Sequence, residues 1–177
     1  MERFSQRRRQ FASSLGNGIA IVPASREVTR NNDVDHVFRQ SSDFFFLTGF
    51  DEPEAIALVD PDHEAPYVLF VRPRDPELEA WNGRRAGVDG AVARFGADAA
   101  YPLAEFDKIL RKRLLERSSL WYAIGSPIDD RVLGALGRAR SLSNRTGTMV
   151  PEKIVNPDSV LAELRLIKSP DEVEALR

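Results

Sequence analysis

Four short apolar runs, at 19–22, 55–59, 67–71 and 120–124, constrain this chain more than any other feature. Runs of this length, bounded by Gly, Pro and Asp, fit strands covered on both faces. Helical periodicity fills the intervals between them. Phe4, Phe11, Ala12 and Leu15 share one face of a helix over 3–15, with Arg7, Arg8 and Arg9 on the other. Residues 88–95 read as a helix stopped by Gly96. Leu103, Phe106, Ile109, Leu110 and Leu114 predict an amphipathic helix to about residue 117. Ile128, Val132, Leu133 and Leu136 mark another. Asn156-Pro157-Asp158 opens one that carries Val160, Leu161, Leu164 and Ile167. The runs at 55–59 and 67–71 are joined by a short polar turn and predict a hairpin. Alternating strands and helices with one hairpin define an α/β fold, a mixed central β-sheet flanked by helices. Residues 25–40 read as a loop or short edge pieces, and 141–156 as loop with a short strand.

Composition narrows the function classes. The chain has 177 residues, 42% hydrophobic and 29% charged, which is ordinary for one domain with a core of its own. A net charge of −2 gives no overall field for nucleic acid or an anionic membrane. The Arg7-Arg8-Arg9 run and the cluster Lys108, Arg111, Lys112 and Arg113 read as solvated helix faces. Neither has the interleaved aromatics of a nucleic-acid surface. No cysteine is present, which excludes disulfides, thiolate metal sites and a cysteine nucleophile. The basic start has no apolar stretch after it, and no run approaches membrane-spanning length. The expected address is cytoplasmic, with no membrane or nucleic-acid partner.

Ser169-Pro170-Asp171-Glu172 is a helix start. Ser169 stands at the N-cap, Pro170 at the first helical position, and Glu172 where it completes a capping box. A two-turn helix is marginal alone. The expectation is a front domain, 1–155, followed at 156–177 by a helical linker and the start of a further domain.

Chemistry-bearing clusters are sparse. His36 and His63 are the only histidines. His63 lies in a polar turn, and Asp33-x-Asp35-His36 has no second cluster to complete a metal site. Ser41-Ser42 and Ser118-Ser119 carry no triad signature. Gly83 and Gly87 around Arg84-Arg85 lack the strand–loop–helix setting of a phosphate site. The Asp and Glu residues show no acid–base spacing, and a nuclease on a similar mixed sheet would need carboxylates clustered at adjacent strand ends, where Asp43, Asp60 and Asp89 do not obviously converge. No catalytic and no metal-binding residue is assigned. Trp81 stands on a polar background, Glu79-Ala80-Trp81-Asn82-Gly83-Arg84-Arg85, which suits a partly exposed interface anchor or a Trp lying over its own domain.

The densest segment spans 38–55, with Phe44, Phe45, Phe46 and Phe50 among polar flanks. These aromatics read as a core plug feeding the next strand through a turn at Gly49, or in part as an aromatic rim. Its pattern, Arg39-Gln40-x-Ser42-Asp43-Phe44, then Leu47-Thr48-Gly49-Phe50, then Glu52-Pro53-x-Ala55, resembles the N-terminal domain of aminopeptidase P, the Xaa-Pro aminopeptidases. Residues 16–30, the segment 77–87 around Trp81, and 164–173 resemble the same family in the same order. One departure is His36-Val37-Phe38, where the family often has Tyr-Pro-Tyr.

The resemblance implies a mixed α/β front domain joined to a catalytic pita-bread domain. That second domain holds two divalent metals, usually manganese, and cleaves the bond between an N-terminal residue and proline. No ligand of that site maps onto this sequence, so this chain alone is expected to be inactive. Its expected partners are its own C-terminal catalytic domain, further subunits of a homo-oligomer, and proline-containing peptides. By resemblance, Trp81, Arg84 and Arg85 lie at the substrate entrance or an inter-subunit contact. The alternatives are a stand-alone interaction module, or the front domain of a prolidase or creatinase.

Overall fold

The computed structural model of the chain describes residues 2–32, 34–77, 79 and 83–175. Helix α1 (Glu2–Ser13) leads into strand β1 (Gly18–Pro23). A small ribbon follows, β2 (Thr29–Asn31) with β3 (Val34–Asp35), then helix α2 (Ser42–Thr48). The hairpin comes next, β4 (Ile56–Val59) and β5 (Tyr67–Val71). Beyond it lie helix α3 (Gly87–Phe95), strand β6 (Ala99–Pro102), a 3₁₀ turn (Leu103–Glu105) and helix α4 (Phe106–Arg113). The chain ends with β7 (Ser119–Trp121), α5 (Asp129–Thr146), β8 (Lys153–Val155), α6 (Asp158–Leu166) and α7 (Pro170–Ala175).

Six strands form one mixed sheet in the order β6-β5-β4-β1-β7-β8. β4 runs antiparallel to both neighbours, with Ile21 opposite Leu58 and Leu58 opposite Val68. All other pairings are parallel. The expected mixed sheet with one hairpin is therefore the observed architecture.

Side chains alternate across the central strands and fill two cores. Ala20, Val22, Ala57, Val59 and Leu69 face α1, α2, α3 and α6, packing with Phe11, Phe44, Phe50, Phe95 and Leu161. Ile19, Ile21, Ile56, Leu58, Val68 and Phe70 face α4 and α5, packing with Phe106, Leu110, Val132 and Ala139. Burial on both faces explains why these strands read as unbroken apolar runs.

Several elements differ from the sequence expectation. β6 is a strand made of Ala99-Ala100-Tyr101-Pro102, which carries no apolar alternation; pairing with buried β5 imposes it. α5 runs on to Thr146, where Gly147 at φ 72° closes it and donates its N–H to Ser143 O at 2.8 Å. β7 ends at Trp121, and Ile124, expected inside it, is 62% exposed in the following turn.

The basic runs also depart from solvated faces. Arg8 is buried; it stacks 3.8 Å above the Tyr67 ring and donates to Leu47 O at 2.9 Å. Burial lowers its pKa, partly opposed by Tyr67 and Asp98. Arg7 lies over the Phe46 ring and pairs with Glu172 at 2.8 Å. Arg113 and Arg117 are buried around Asp60.

The helix start at Ser169 forms as expected. Glu172 Oε2 accepts the Ser169 N–H at 2.9 Å, and also its hydroxyl at 3.0 Å. α6 buries Leu161 in the domain core, with Val160 and Leu164 packed beside it, while Leu166 and Ile167 stay exposed.

Candidate functional site at the carboxyl edge of the sheet

β1, β5, β6, β7 and β8 point the same way, so their carboxyl ends share one edge, where β4 begins. In open α/β sheets, ligand crevices form along such an edge. Here it carries the connections that follow β1, with the β2–β3 ribbon, that follow β5, and that follow β7.

Gln40 ties the first loop to the start of β4. Its Oε1 accepts the N–H groups of Ser25 at 2.8 Å and Ser41 at 2.9 Å. Its Nε2 donates to the carbonyls of Phe50 at 3.3 Å and Glu52 at 2.9 Å. One amide thus satisfies four backbone groups that no sheet ladder reaches. Downstream, Thr48 Oγ1 donates to Phe44 O and accepts the Phe50 N–H, turning the chain out of α2. Gly49 caps that helix at φ 66°, and a Cβ there would sit 2.5 Å from the Phe4 ring. Phe44 and Phe50 are fully buried, as a core plug requires; Phe45 is the exposed member of the set.

Two carboxylates hold described residues of the connection after β5. Arg74 meets Glu79 as a fork, Nε to Oε1 at 3.0 Å and an NH2 donor to Oε2 at 2.8 Å. The Glu79 side chain is only 7% exposed. The Arg74 bond holds its carboxyl below the ordinary value against the opposing pull of desolvation, and the Arg85 backbone N–H adds to it. Next in sequence, the Ala86 N–H donates to Glu52 Oε1 at 2.6 Å. Gly87 has φ 61°, and a Cβ there would lie 2.6 Å from Arg74 Cγ. Nearby, Arg72 reaches Glu27 at 3.6 Å and Glu54 at 3.9 Å.

The third loop is pinned by Asp129. It accepts the Tyr122 hydroxyl at 2.5 Å and the N–H groups of Gly125 and Ser126. These bonds lower the Asp129 carboxyl, while burial and Asp129 raise the Tyr122 phenol. Between the first and third loops opens a cleft of about 420 Å³, walled by Pro23, Ile56, Leu103 and Ile128 and flanked by Arg26 and Arg131.

Of the residues singled out by sequence, Arg84 is exposed and Arg85 half-buried, with its Nε buried and without a hydrogen-bond partner. Trp81 lies outside the described residues, as does Asp33 of the Asp33-x-Asp35-His36 cluster. His63 Nδ1 accepts the Ala65 N–H within its turn. Glu52 and Glu79 appear in the sequence motifs without an assigned role, and Arg74 was not singled out. Arg74 and Glu79 are five residues apart, a separation that no helix or strand rule pairs. Among the described residues no three His, Cys, Asp or Glu side chains converge.

Residues 4–125 match the family described as "Aminopeptidase P, N-terminal domain". This chain belongs to that family. It is 35% identical to the Xaa-Pro aminopeptidase of Haemophilus influenzae, over 99% of this chain and 39% of that protein. It is also 35% identical to the Xaa-Pro aminopeptidase of Escherichia coli, over 99% of this chain and 41% of that protein. Among solved structures, aminopeptidase PepP of Pseudomonas aeruginosa superposes with a TM-score of 0.91 at 42% identity, covering 98% of this chain and 40% of that one. The chain thus spans about two fifths of the length of these relatives and corresponds to their N-terminal domain. For this aminopeptidase P N-terminal domain, the motif residues Gln40, Thr48, Gly49 and Glu52 have a structural meaning: each fixes backbone at or beside the carboxyl edge. Among its described residues no helix is long and apolar enough to cross a membrane.

Proposed function

We propose that this domain is the non-catalytic front part of a cytoplasmic Xaa-Pro aminopeptidase, which removes an N-terminal residue preceding proline. In that reading the chemistry belongs to a C-terminal domain with two divalent metals, manganese for choice, that activate a water as nucleophile. The front domain helps build a homo-oligomer and bounds the substrate entrance with the loop that carries Trp81, Arg84 and Arg85. The observation that carries the reading is the match over 4–125 together with near-full-length similarity to the front of named Xaa-Pro aminopeptidases. Those names favour a peptidase over a prolidase or creatinase.

The test uses the gene product that carries this domain, assayed with manganese on an Xaa-Pro tripeptide, an Xaa-Pro dipeptide and creatine. The expected result is tripeptide hydrolysis that a chelator abolishes, and no hydrolysis by the 177-residue chain. Exclusive turnover of the dipeptide or creatine would replace the peptidase reading. A manganese-loaded product that turns over none of the three would leave an interaction module.

A further inference from the structure

We propose that the cleft between the ends of β1 and β7 binds a free α-amino acid with an apolar side chain, Arg26 taking its carboxylate and Glu54 its ammonium group. The inference does not rest on the peptidase reading, and its test involves no hydrolysis.

Topology puts a crevice at this point. β1 and β7 are adjacent and parallel, with Ile19 opposite Leu120. The chain leaving β1 goes on to α2, whose Phe44 packs on one face of the sheet. The chain leaving β7 goes on to α5, whose Val132 packs on the other face. Where connections from neighbouring parallel strands part to opposite faces, they leave a gap outside the carboxyl ends, and ligands of open α/β sheets sit in such gaps. The cleft of about 420 Å³ lies there, with Pro23 to Arg26 on one side and Ser126 to Ile128 on the other. A second hollow of about 260 Å³ shares Pro23 and Ser126 with it and reaches Val22 and Gly125.

The lining names the ligand chemistry. Pro23, Ala24, Ile56, Leu103 and Ile128 make apolar walls. Small-molecule sites have this form, an apolar cleft with a few placed polar groups. Arg131 is spent within the fold: it donates to Asp107 at 2.9 Å and Leu103 O at 2.8 Å, and lies over the Phe106 ring. Arg26 is not spent. It makes one long bond, to Pro127 O at 3.4 Å, and no ion pair among the described residues, so most of its five donors remain. Glu54 is held only loosely, by Arg72 at 3.9 Å. Glu54 N–H donates to Ser25 O at 3.0 Å, so the two charged side chains spring from neighbouring backbone, yet they do not pair with each other. A free cation and a loosely held anion side by side at the mouth of an apolar cleft match the two charges and the side chain of an apolar amino acid. A ligand with one charge would leave the other group without a partner.

Glu54 also sits at φ 58°, a left-handed conformation that a residue other than glycine adopts only when its surroundings impose it. Ser25 imposes it here, and Ser25 N–H is in turn held by Gln40 at 2.8 Å. Across the cleft, Asp129 fixes Gly125 and Ser126. Both walls are set before any ligand arrives, which lowers the ordering cost of binding.

Calorimetric titration of the 177-residue chain, whose two cores close within it, decides the matter. The probes are L-leucine, L-leucinamide, N-acetyl-L-leucine and L-leucyl-L-leucine. Leucine should bind, and each singly blocked form should bind about tenfold more weakly, because one charged group of the site is then unpaired. Arg26→Ala should weaken leucine about tenfold and erase its advantage over leucinamide. Glu54→Gln should erase the advantage over N-acetyl-leucine instead.

Equal binding of leucine and its blocked forms overturns the paired-charge site, as does leucine affinity that neither variant changes. Failure of leucine to bind at about 10 mM overturns the site outright. Tighter binding of the dipeptide than of leucine overturns the single amino acid as its occupant. The titration is repeated on the gene product that carries this domain. Leucine binding that is sensitive to Arg26→Ala should persist there; its loss would mean that another part of the protein fills the cleft, and would overturn the proposal.

Discussion

Asp60 and Glu79 use the same chemistry for different ends. Asp60 follows β4 with its side chain fully buried. Arg117 Nε donates to Oδ1 at 2.7 Å, and Arg113 donates to Oδ2 at 3.2 Å and to Ala65 O. Both arginines are themselves buried. Three charges have left water together, so each depends on the others. Glu79 meets one arginine whose head stays in solvent, and turns its oxygens onto loop backbone. The first arrangement staples the α4 side of the sheet to the hairpin turn. The second braces described backbone beyond the far end of the hairpin's return strand. The lesson is that ion pairs must be read by what surrounds them: one is sealed in the core, and the other braces backbone at the surface.

That contrast breaks most visibly at Asp60. D60A leaves Arg113 and Arg117 buried without their partner, and should cost about 3 to 5 kcal/mol in urea unfolding. A loss well under that would mean the two arginines swing into water, and Asp60 would then resemble Glu79. Gln40 comes next. Q40A strands two N–H and two carbonyl groups, and should cost about 2 kcal/mol, somewhat less if water enters.

A smaller effect separates α7 from both. Burial pushes the Glu172 carboxyl up, but Ser169 N–H and hydroxyl, with Arg7, outweigh it and leave the group below its ordinary 4.5. Because the folded value is depressed, the stabilisation is complete above pH 4.5 and is lost as pH falls through the lower folded value. Amide exchange at Val173 should therefore rise on acidification before the sheet opens, and R7M should move that rise toward higher pH. Coincident opening of α7 and the sheet would show that α7 has no separate anchoring. Smallest of all is E79Q in global unfolding. Its urea midpoint should match wild type; a shifted midpoint would erase the distinction from Asp60.

Much of this fold was legible in the sequence because its central strands are buried on both faces. Ile19, Ile21, Leu58, Val68 and Phe70 announce themselves as apolar runs, and the Asp60-Pro61-Asp62 turn announces the hairpin. β6 did not, because Ala99 and Ala100 become strand only beside β5. α2 was hidden too. Its aromatics read equally as a plug, and the Ser41 cap and left-handed Gly49 show that the plug is itself a helix. The residues that hold the candidate site were harder. Asp60 finds Arg113 and Arg117 at separations of 53 and 57 residues, and Glu52 finds Ala86 across 34. No local period encodes such pairs. The motif around Gln40 pointed to the right family, while the work of Gln40 itself became visible only with four backbone partners in place.

The central claim is that this domain serves a larger peptidase. The intact mass of the native gene product tests it most directly. The account predicts a mass well above the 19.8 kDa of this chain, with the extra length carrying the catalytic domain. A native product of 19.8 kDa would contradict it, and would make this fold a free-standing module.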